Sequence, residues 1–157
     1  MKSKRMVKWI VLAVTAIAVG IGSFGLYQAQ FVTLDMSFAS TIVVEYMGPE
    51  EISVTLTPEE TEKLKSYFTG KMRKESLSKC GFNDFKIRFI GEEQEIVVFP
   101  GGDHCDNTAL GINGQYDENG VFFSIGMEGN HYLWSLAMKY DLSQLQVADY
   151  LRSNCMY

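Results

Sequence analysis

The chain has 157 residues, of which 46% are hydrophobic, and a net charge of −5. All 19 acidic residues follow residue 30, whereas 4 of the 14 basic residues precede it, so residues 31–157 carry a net charge of −9. This acidic balance argues against a nucleic-acid partner. The ten Phe and eight Tyr residues, without any low-complexity run, argue against disorder. The part after the first segment, about 125 residues, suffices for one domain with a buried core.

The first element is an uncharged stretch at residues 9–27. As a helix it would span roughly 28 Å, close to the ~30 Å hydrocarbon core of a bilayer. The first charge after it is Asp35, and four basic residues precede it: Lys2, Lys4, Arg5 and Lys8. The positive-inside rule therefore places the N-terminus in the cytoplasm. The sequence predicts a cytoplasmic tail (1–8), one transmembrane helix (9–27), a short linker (28–33) and an extracytoplasmic domain (34–157).

A cleaved signal peptide is the alternative, since it would share the charged start and the apolar middle. Signal peptides have shorter apolar regions, of about 7–15 residues. The best small-x-small cleavage motif, Ser23-Phe24-Gly25, lies inside the apolar run. An uncleaved, single-pass anchor in the cell membrane is therefore the favoured prediction.

The first part of the domain has patterns that predict a hairpin followed by a helix. Thr41–Met47 is rich in β-branched residues, a Gly-Pro turn follows, and residues 52–56 alternate, which predicts a hairpin. A weaker alternation at residues 34–39 predicts an edge strand before it. Thr57, Pro58 and Glu60 form a capping-box pattern, which predicts a helix over residues 58–69.

A second hairpin is predicted from Phe85–Ile90 and residues 95–99, joined by a four-residue loop. In this register paired residue numbers sum to 185, which puts Phe89 opposite Ile96 and Ile87 opposite Val98 on one apolar face. Extended past the strands, the same register puts Cys80 opposite Cys105. Because disulfides persist outside the cytoplasm, these two cysteines are expected to pair.

Residues 110–116 and 121–125 predict a third hairpin, closed by an Asn-Gly turn. A second helix is expected after Asn130 as its cap, with Leu133, Leu136, Ala137 and Tyr140 on one face, and a further short helix at residues 141–152. The predicted fold class is α+β: one transmembrane helix, followed by an antiparallel sheet with two or three helices packed on one face.

Six basic residues cluster within the acidic domain, namely Lys63, Lys65, Lys71, Arg73, Lys74 and Lys79. We call this set the basic strip. One interpretation is a solvated helix and loop, because exposed charge clusters usually serve solubility. The other interpretation is a docking surface for an anionic envelope component or a membrane protein.

A second cluster, Asp103, His104, Cys105 and Asp106, could bind a metal ion or, with His131, support a thiol nucleophile. The spacing of this cluster lacks C-x-x-C or H-x-x-x-H, and neighbouring side chains in an extended segment diverge. Asp103, Asp106 and the following Asn107 are therefore better explained as turn formers in a Gly-rich loop. No metal, cofactor or catalytic residue is therefore predicted. A thiol redox protein is disfavoured because neither Cys80 nor Cys105 lies in C-x-x-C.

The order of the Thr-Pro-Glu-Glu helix start, Cys80-Gly81-Phe82, a hairpin, Gly102-Asp103-x-Cys105 and Phe123-x-Ile125 resembles small uncharacterised membrane-anchored or secreted domains of Gram-positive bacteria. The resemblance covers residues 56–142. It implies a cell-surface domain with a paired cysteine; Cys155 has no counterpart in the pattern.

The sequence therefore favours a membrane-anchored, extracytoplasmic binding or protein-interaction module that is not an enzyme. The alternative is a cell-envelope hydrolase that uses a metal ion or a thiol in the loop at residues 103–106.

Overall fold

The structure is a computed structural model that describes residues 2–47, 51–76, 85–101 and 107–142, with the side chains of the first helix described from Val14 onward. The chain divides into two compact units, Met1–Phe31 and Val32–Tyr157. The first consists mainly of helix α1, Lys2–Ala29. Its large apolar side chains are 60–73% exposed at Val14, Ile17, Val19, Ile21, Phe24 and Leu26.

Most of the segment predicted as a linker, residues 28–33, has regular structure. Helix α1 continues to Ala29, and strand β1, Phe31–Leu34, begins after Gln30. The predicted edge strand at residues 34–39 is wrong, because β1 ends at Leu34 and the chain turns at Ser37 and Phe38. Within the described part of the chain, no helix is both long and apolar enough to cross a membrane.

The main sheet of the second unit is antiparallel, with six strands in the order β3-β2-β5-β6-β7-β8. The strands are β2 Thr41–Met47, β3 Glu51–Thr55, β5 Phe85–Ile90, β6 Glu95–Pro100, β7 Thr108–Leu110 and β8 Phe122–Phe123. Strand β4, Gly70–Arg73, pairs with β1 in a separate two-stranded sheet. An isolated bridge between Lys74 and Phe123 connects the end of β4 to β8.

The predicted register of the second hairpin is confirmed, with Ile87 opposite Val98 and Phe89 opposite Ile96. The first hairpin is also confirmed, and β2 pairs on its other side with β5, which places β5 inside the sheet. The third hairpin is only partly as predicted: β7 and β8 pair, but β7 shares only Leu110 with the predicted strand at residues 110–116, because residues 111–121 form the connection.

The core lies on the sheet face that carries Ile42, Val44, Ile87, Phe89 and Val98, each at most 1% exposed. Helices α2, Pro58–Tyr67, and α3, Gly126–Lys139, contribute buried leucines to the same core cluster. Both helices therefore cover one face of the sheet, as expected for the α+β class. A smaller apolar cluster occupies the opposite face and consists of Val97, Phe99, Ala109 and Phe122.

The capping box at Thr57 and Glu60 is confirmed, but α2 ends at Tyr67 because β4 begins at Gly70, whose φ of +121° favours glycine. Helix α3 begins at Gly126, and its N-cap is Ile125, so the prediction of Asn130 as the cap is wrong. The stripe of Leu133, Leu136, Ala137 and Tyr140 faces the core as predicted. Most of the further helix predicted at residues 141–152 lies outside the described residues.

A buried carboxylate connects the two helices. Glu60, in the first turn of α2, accepts hydrogen bonds from the Thr57 N–H at 3.0 Å and its hydroxyl at 2.8 Å. At the end of α3, Lys139 donates to it at 2.6 Å and Tyr140 at 2.7 Å. Burial opposes ionisation, but the donors Lys139, Tyr140 and Thr57 outweigh it and lower the pKa of Glu60 from 4.5 to about 2.

Replacing Glu60 with Gln should lower the free energy of unfolding by about 1–3 kcal/mol at pH 7, since Lys139 is half-exposed and partly screened. A depressed native pKa stabilises the fold above pH 4.5, and this stabilisation is lost as the pH falls towards about 2. The difference between wild type and E60Q should therefore shrink over that range.

Urea unfolding of the full chain in a neutral detergent, at several pH values, measures both effects. The matched control is Glu59→Gln, because Glu59 is exposed in the same helical turn and should contribute less than ~0.5 kcal/mol. Equal losses in the two variants would contradict a structural role for Glu60.

Candidate functional site

The predicted thiol or metal loop falls outside the described residues, which exclude Cys80, Asp103, His104, Cys105 and Asp106. His131 is described and lies exposed on α3. Across residues 2–47, 51–76, 85–101 and 107–142, no group of three or more His, Cys, Asp or Glu is placed to hold a metal ion. The disulfide and the metal or thiol site thus stay predictions.

The described flanks of that loop meet at one point, which we call the Asn107 corner (Ser76, Gly101 and Asn107). The Gly101 N–H donates to the Asn107 carbonyl at 2.6 Å, which closes the chain around residues 102–106. The Asn107 Nδ2 donates to the Ser76 carbonyl at 3.0 Å, and residues 77–84 follow directly. One side chain therefore connects the ends of the two segments that contain Cys80 and Cys105.

Asn107 is 8% exposed, and its Oδ1 is a buried acceptor without a hydrogen-bond partner among the described residues. Exchanging the amide oxygen and nitrogen would put an oxygen against the Ser76 carbonyl, so the hydrogen bond fixes the orientation. The sequence had suggested only a turn-forming role for this residue. No local pattern signals its contact with Ser76, which is 31 positions away.

The basic strip is divided between two elements, and Lys79 lies outside the described residues. In β4, Lys71 and Arg73 are exposed and flank Met72, which is 7% exposed in the core. Because side chains alternate along a strand, both cations point away from the helix-covered core. Lys74 follows them and is also exposed. These three residues, which we call the strand cations, lead directly into the Asn107 corner.

Backbone hydrogen bonds join the segment that carries the strand cations to β8 and the residue after it. The Ser124 N–H donates to the Arg73 carbonyl at 3.1 Å, and the Glu75 N–H donates to the Phe122 carbonyl at 2.9 Å. The predicted loop at this position is therefore partly a strand. The Arg73 side chain is 74% exposed, and its Nε lies 3.8 Å from a Glu75 carboxylate oxygen.

The helix part of the basic strip, Lys63 and Lys65, is engaged within the domain. The Lys63 Nζ lies 4.4 Å from the centroid of the Tyr132 ring, a cation–π contact. The Lys65 Nζ lies 2.7 Å from Glu62. The structure therefore places these two lysines in α2 and the strand cations in a different element, β4 and the residue that follows it.

Sequence reasoning missed a network of four charges on the sheet face opposite the helices. Glu45 accepts from Lys86 at 2.7 Å and from Arg88 at 3.0 Å, and Arg88 also contacts Glu95 at 2.7 Å. Burial opposes ionisation of Glu45, but both cations outweigh it and lower its pKa. The bonds to Glu95 and Glu45 raise the pKa of Arg88. The confirmed register contained a signal, because it puts Arg88 diagonally across from Glu95.

A groove of about 430 Å³ adjoins this network and is lined by Glu95, Ile96, Val97, Leu110, Gly111, Asn113 and Gly114. Glu95 is the titratable side chain of this lining, and Arg88 hydrogen-bonds to both of its oxygens. The hydrogen bonds from Arg88 lower the pKa of Glu95, so this carboxylate is held ionised and oriented. Among the described lining residues, the groove therefore presents a mostly uncharged surface whose carboxylate, Glu95, is held by Arg88.

The predicted disulfide between Cys80 and Cys105, which lie outside the described residues, has a direct chemical test. A crosslink over a loop of about 25 residues should add roughly 3 kcal/mol to the free energy of unfolding. Peptide mapping of the protein under non-reducing conditions should recover the two cysteines in one crosslinked pair. A free Cys105, or a bond between Cys105 and Cys155, would refute the pairing.

No protein-family model, curated protein or solved structure matches this chain.

Proposed function

We propose that the chain is a membrane-anchored, extracytoplasmic interaction module that docks an anionic envelope component through the strand cations, Lys71, Arg73 and Lys74. The observation that carries the proposal is the exposure of three cationic residues within four positions of β4 and the residue after it. They belong to a region, residues 31–157, with a net charge of −9. Such a region repels anions on average, so a local positive surface is where an anionic partner can approach.

The pairing of the other cations supports the choice of surface. Lys65, Lys86, Arg88 and Lys139 each lie within 3.0 Å of a carboxylate oxygen. In contrast, Arg73 has its carboxylate at 3.8 Å, and Lys74 makes no ion pair with a described residue. An exposed pair at that distance contributes little and leaves the charge available to a partner.

The anchor is proposed from residues 9–27, which contain no charge and lie within α1. The four basic residues before them and the high exposure of the apolar side chains from Val14 to Leu26 support a bilayer environment with the N-terminus in the cytoplasm. Anionic envelope polymers and anionic lipids attract a positive surface within a Debye length of about 8 Å.

Neutralising the strand cations should remove binding to an anionic polymer. We expect the triple variant Lys71→Gln, Arg73→Gln and Lys74→Gln to bind polyglycerol phosphate at least about tenfold more weakly, and with a shallower salt dependence, because up to three phosphate contacts are lost. The measurement is fluorescence anisotropy of the labelled polymer with the full chain in nanodiscs of neutral phosphatidylcholine, at low and high salt.

The matched control changes the net charge equally but elsewhere, with Gln94→Glu, Gln115→Glu and Ser135→Glu at exposed positions. Both triple variants should keep the fold, since exposed changes usually cost within ~0.5 kcal/mol each. If the control weakens binding as much as the neutralised strand does, overall charge rather than a docking surface governs the interaction. If neither variant changes binding, the strand cations are only a solvated face.

The topology has its own test. A reporter fused after Tyr157 should be active only when it requires an extracytoplasmic location, and protease added to intact cells should degrade the domain. Reporter activity confined to the cytoplasm would overturn the orientation. A mature protein that begins near Leu26 would show cleavage instead of anchoring.

A further inference from the structure

Strand β3 forms one end of the six-stranded sheet and pairs on one side with β2. Among the described residues, no strand pairs with its other side. Natural edge strands are usually protected by lysine, proline or a bulge. The sequence of β3, Glu51-Ile52-Ser53-Val54-Thr55, contains neither lysine nor proline.

The ladder with β2 determines which backbone groups of β3 point outward. The Leu56 N–H donates to the Ile42 carbonyl at 2.9 Å, and in the same register Val54 lies opposite Val44. Hydrogen-bonded pairs alternate in an antiparallel ladder, so Ile52 and Val54 bond to β2. The N–H and C=O groups of Glu51, Ser53 and Thr55 therefore point away from the sheet, and their side chains are exposed.

We propose that this edge pairs with β3 of a second copy of the chain, antiparallel and centred on Ser53. In this register each Ser53 lies opposite its counterpart, and each Glu51 lies opposite the second copy's Thr55. All three outward-pointing positions then exchange hydrogen bonds, and no like charges face each other. On the helix side, Ile52 lies opposite the second copy's Val54, which extends the core across the contact.

The neighbouring registers are poorer. Shifted one way, Thr55 lies beyond the start of the second copy's β3 at Glu51, so one of the three outward-pointing positions loses its strand partner. Shifted the other way, Glu51 faces Thr57, whose N–H already donates to Glu60 at 3.0 Å. Ile52 and Val54 are half-buried against the core at this edge, and a second copy would cover their remaining surface. The strand is therefore complementary to itself in one register. This self-complementarity favours a second copy of the chain over an unrelated strand as the partner of the edge.

The test is the mass of the full chain in neutral detergent, measured by sedimentation equilibrium over a range of concentrations. Wild type should reach two copies per complex. Ser53→Lys and Ser53→Glu should each weaken self-association at least about tenfold, because two like charges meet at the centre of the contact. Mixing the two variants should restore it, because opposite charges then face each other. Ser135→Lys, at an exposed position of α3, is the matched control and should associate like wild type.

Hydrogen exchange of the Ser53 and Thr55 amides provides an independent measurement, and protection should appear only as the complex forms. If the wild-type chain remains monomeric at all concentrations, the proposal is overturned. S53K association equal to wild type would also overturn it and would place the contact elsewhere. Protection of these amides in the single chain would mean that the chain's own residues cover the edge, and it would also overturn self-pairing.

Discussion

The fold depends on the burial of strand β5 on one face while it is hydrogen-bonded on both edges. Ile87 and Phe89 are completely buried, and β2 and β6 flank the strand. A slip of one residue would turn Lys86 and Arg88 into the helix-covered core and expose both apolar side chains. The cost of burying these charges fixes the register, and the register fixes which face the helices cover.

That same alternation sorts the charges of the domain. Lys86 and Arg88 are placed where Glu45 and Glu95 come from neighbouring strands, so their charges are used within the sheet. Glu60 likewise forms an ion pair with Lys139 between the two helices. Which cations are left to bind a partner therefore depends on their positions in the fold as well as on their number. Arg73 and Lys74 lie outside these networks, next to the short strand β8, where an isolated β-bridge pairs Lys74 with Phe123.

The parts of the fold that were predictable have strong local or pairwise patterns. The capping box at Thr57 and the register of β5 with β6 follow from spacing alone and are confirmed. Strand β4 was missed because its four residues contain two cations and a single buried side chain, Met72, which resembles a loop. The start of α3 was misplaced because Ile125 caps it without a side-chain hydrogen bond.

The candidate site was less predictable because its contacts join distant parts of the sequence. The two described parts of the basic strip are neighbours in sequence, yet they belong to different elements, α2 and β4. Asn107 has the composition of a turn residue, and only the folded chain brings it to Ser76. Pairings of this kind depend on the whole topology, which no window of sequence contains.

The sheet also thins along its width, from six residues in β5 and β6 to three in β7 and two in β8. Shorter strands form fewer hydrogen bonds with their neighbours. We therefore expect the free energy of local unfolding to be lowest at β8 and to rise towards β5 and β6. The strand cations are attached to this weakest end. A ligand that binds the strand cations only while β8 is folded would stabilise β8 by mass action. Ligand binding and the folding of this end of the sheet are therefore thermodynamically linked.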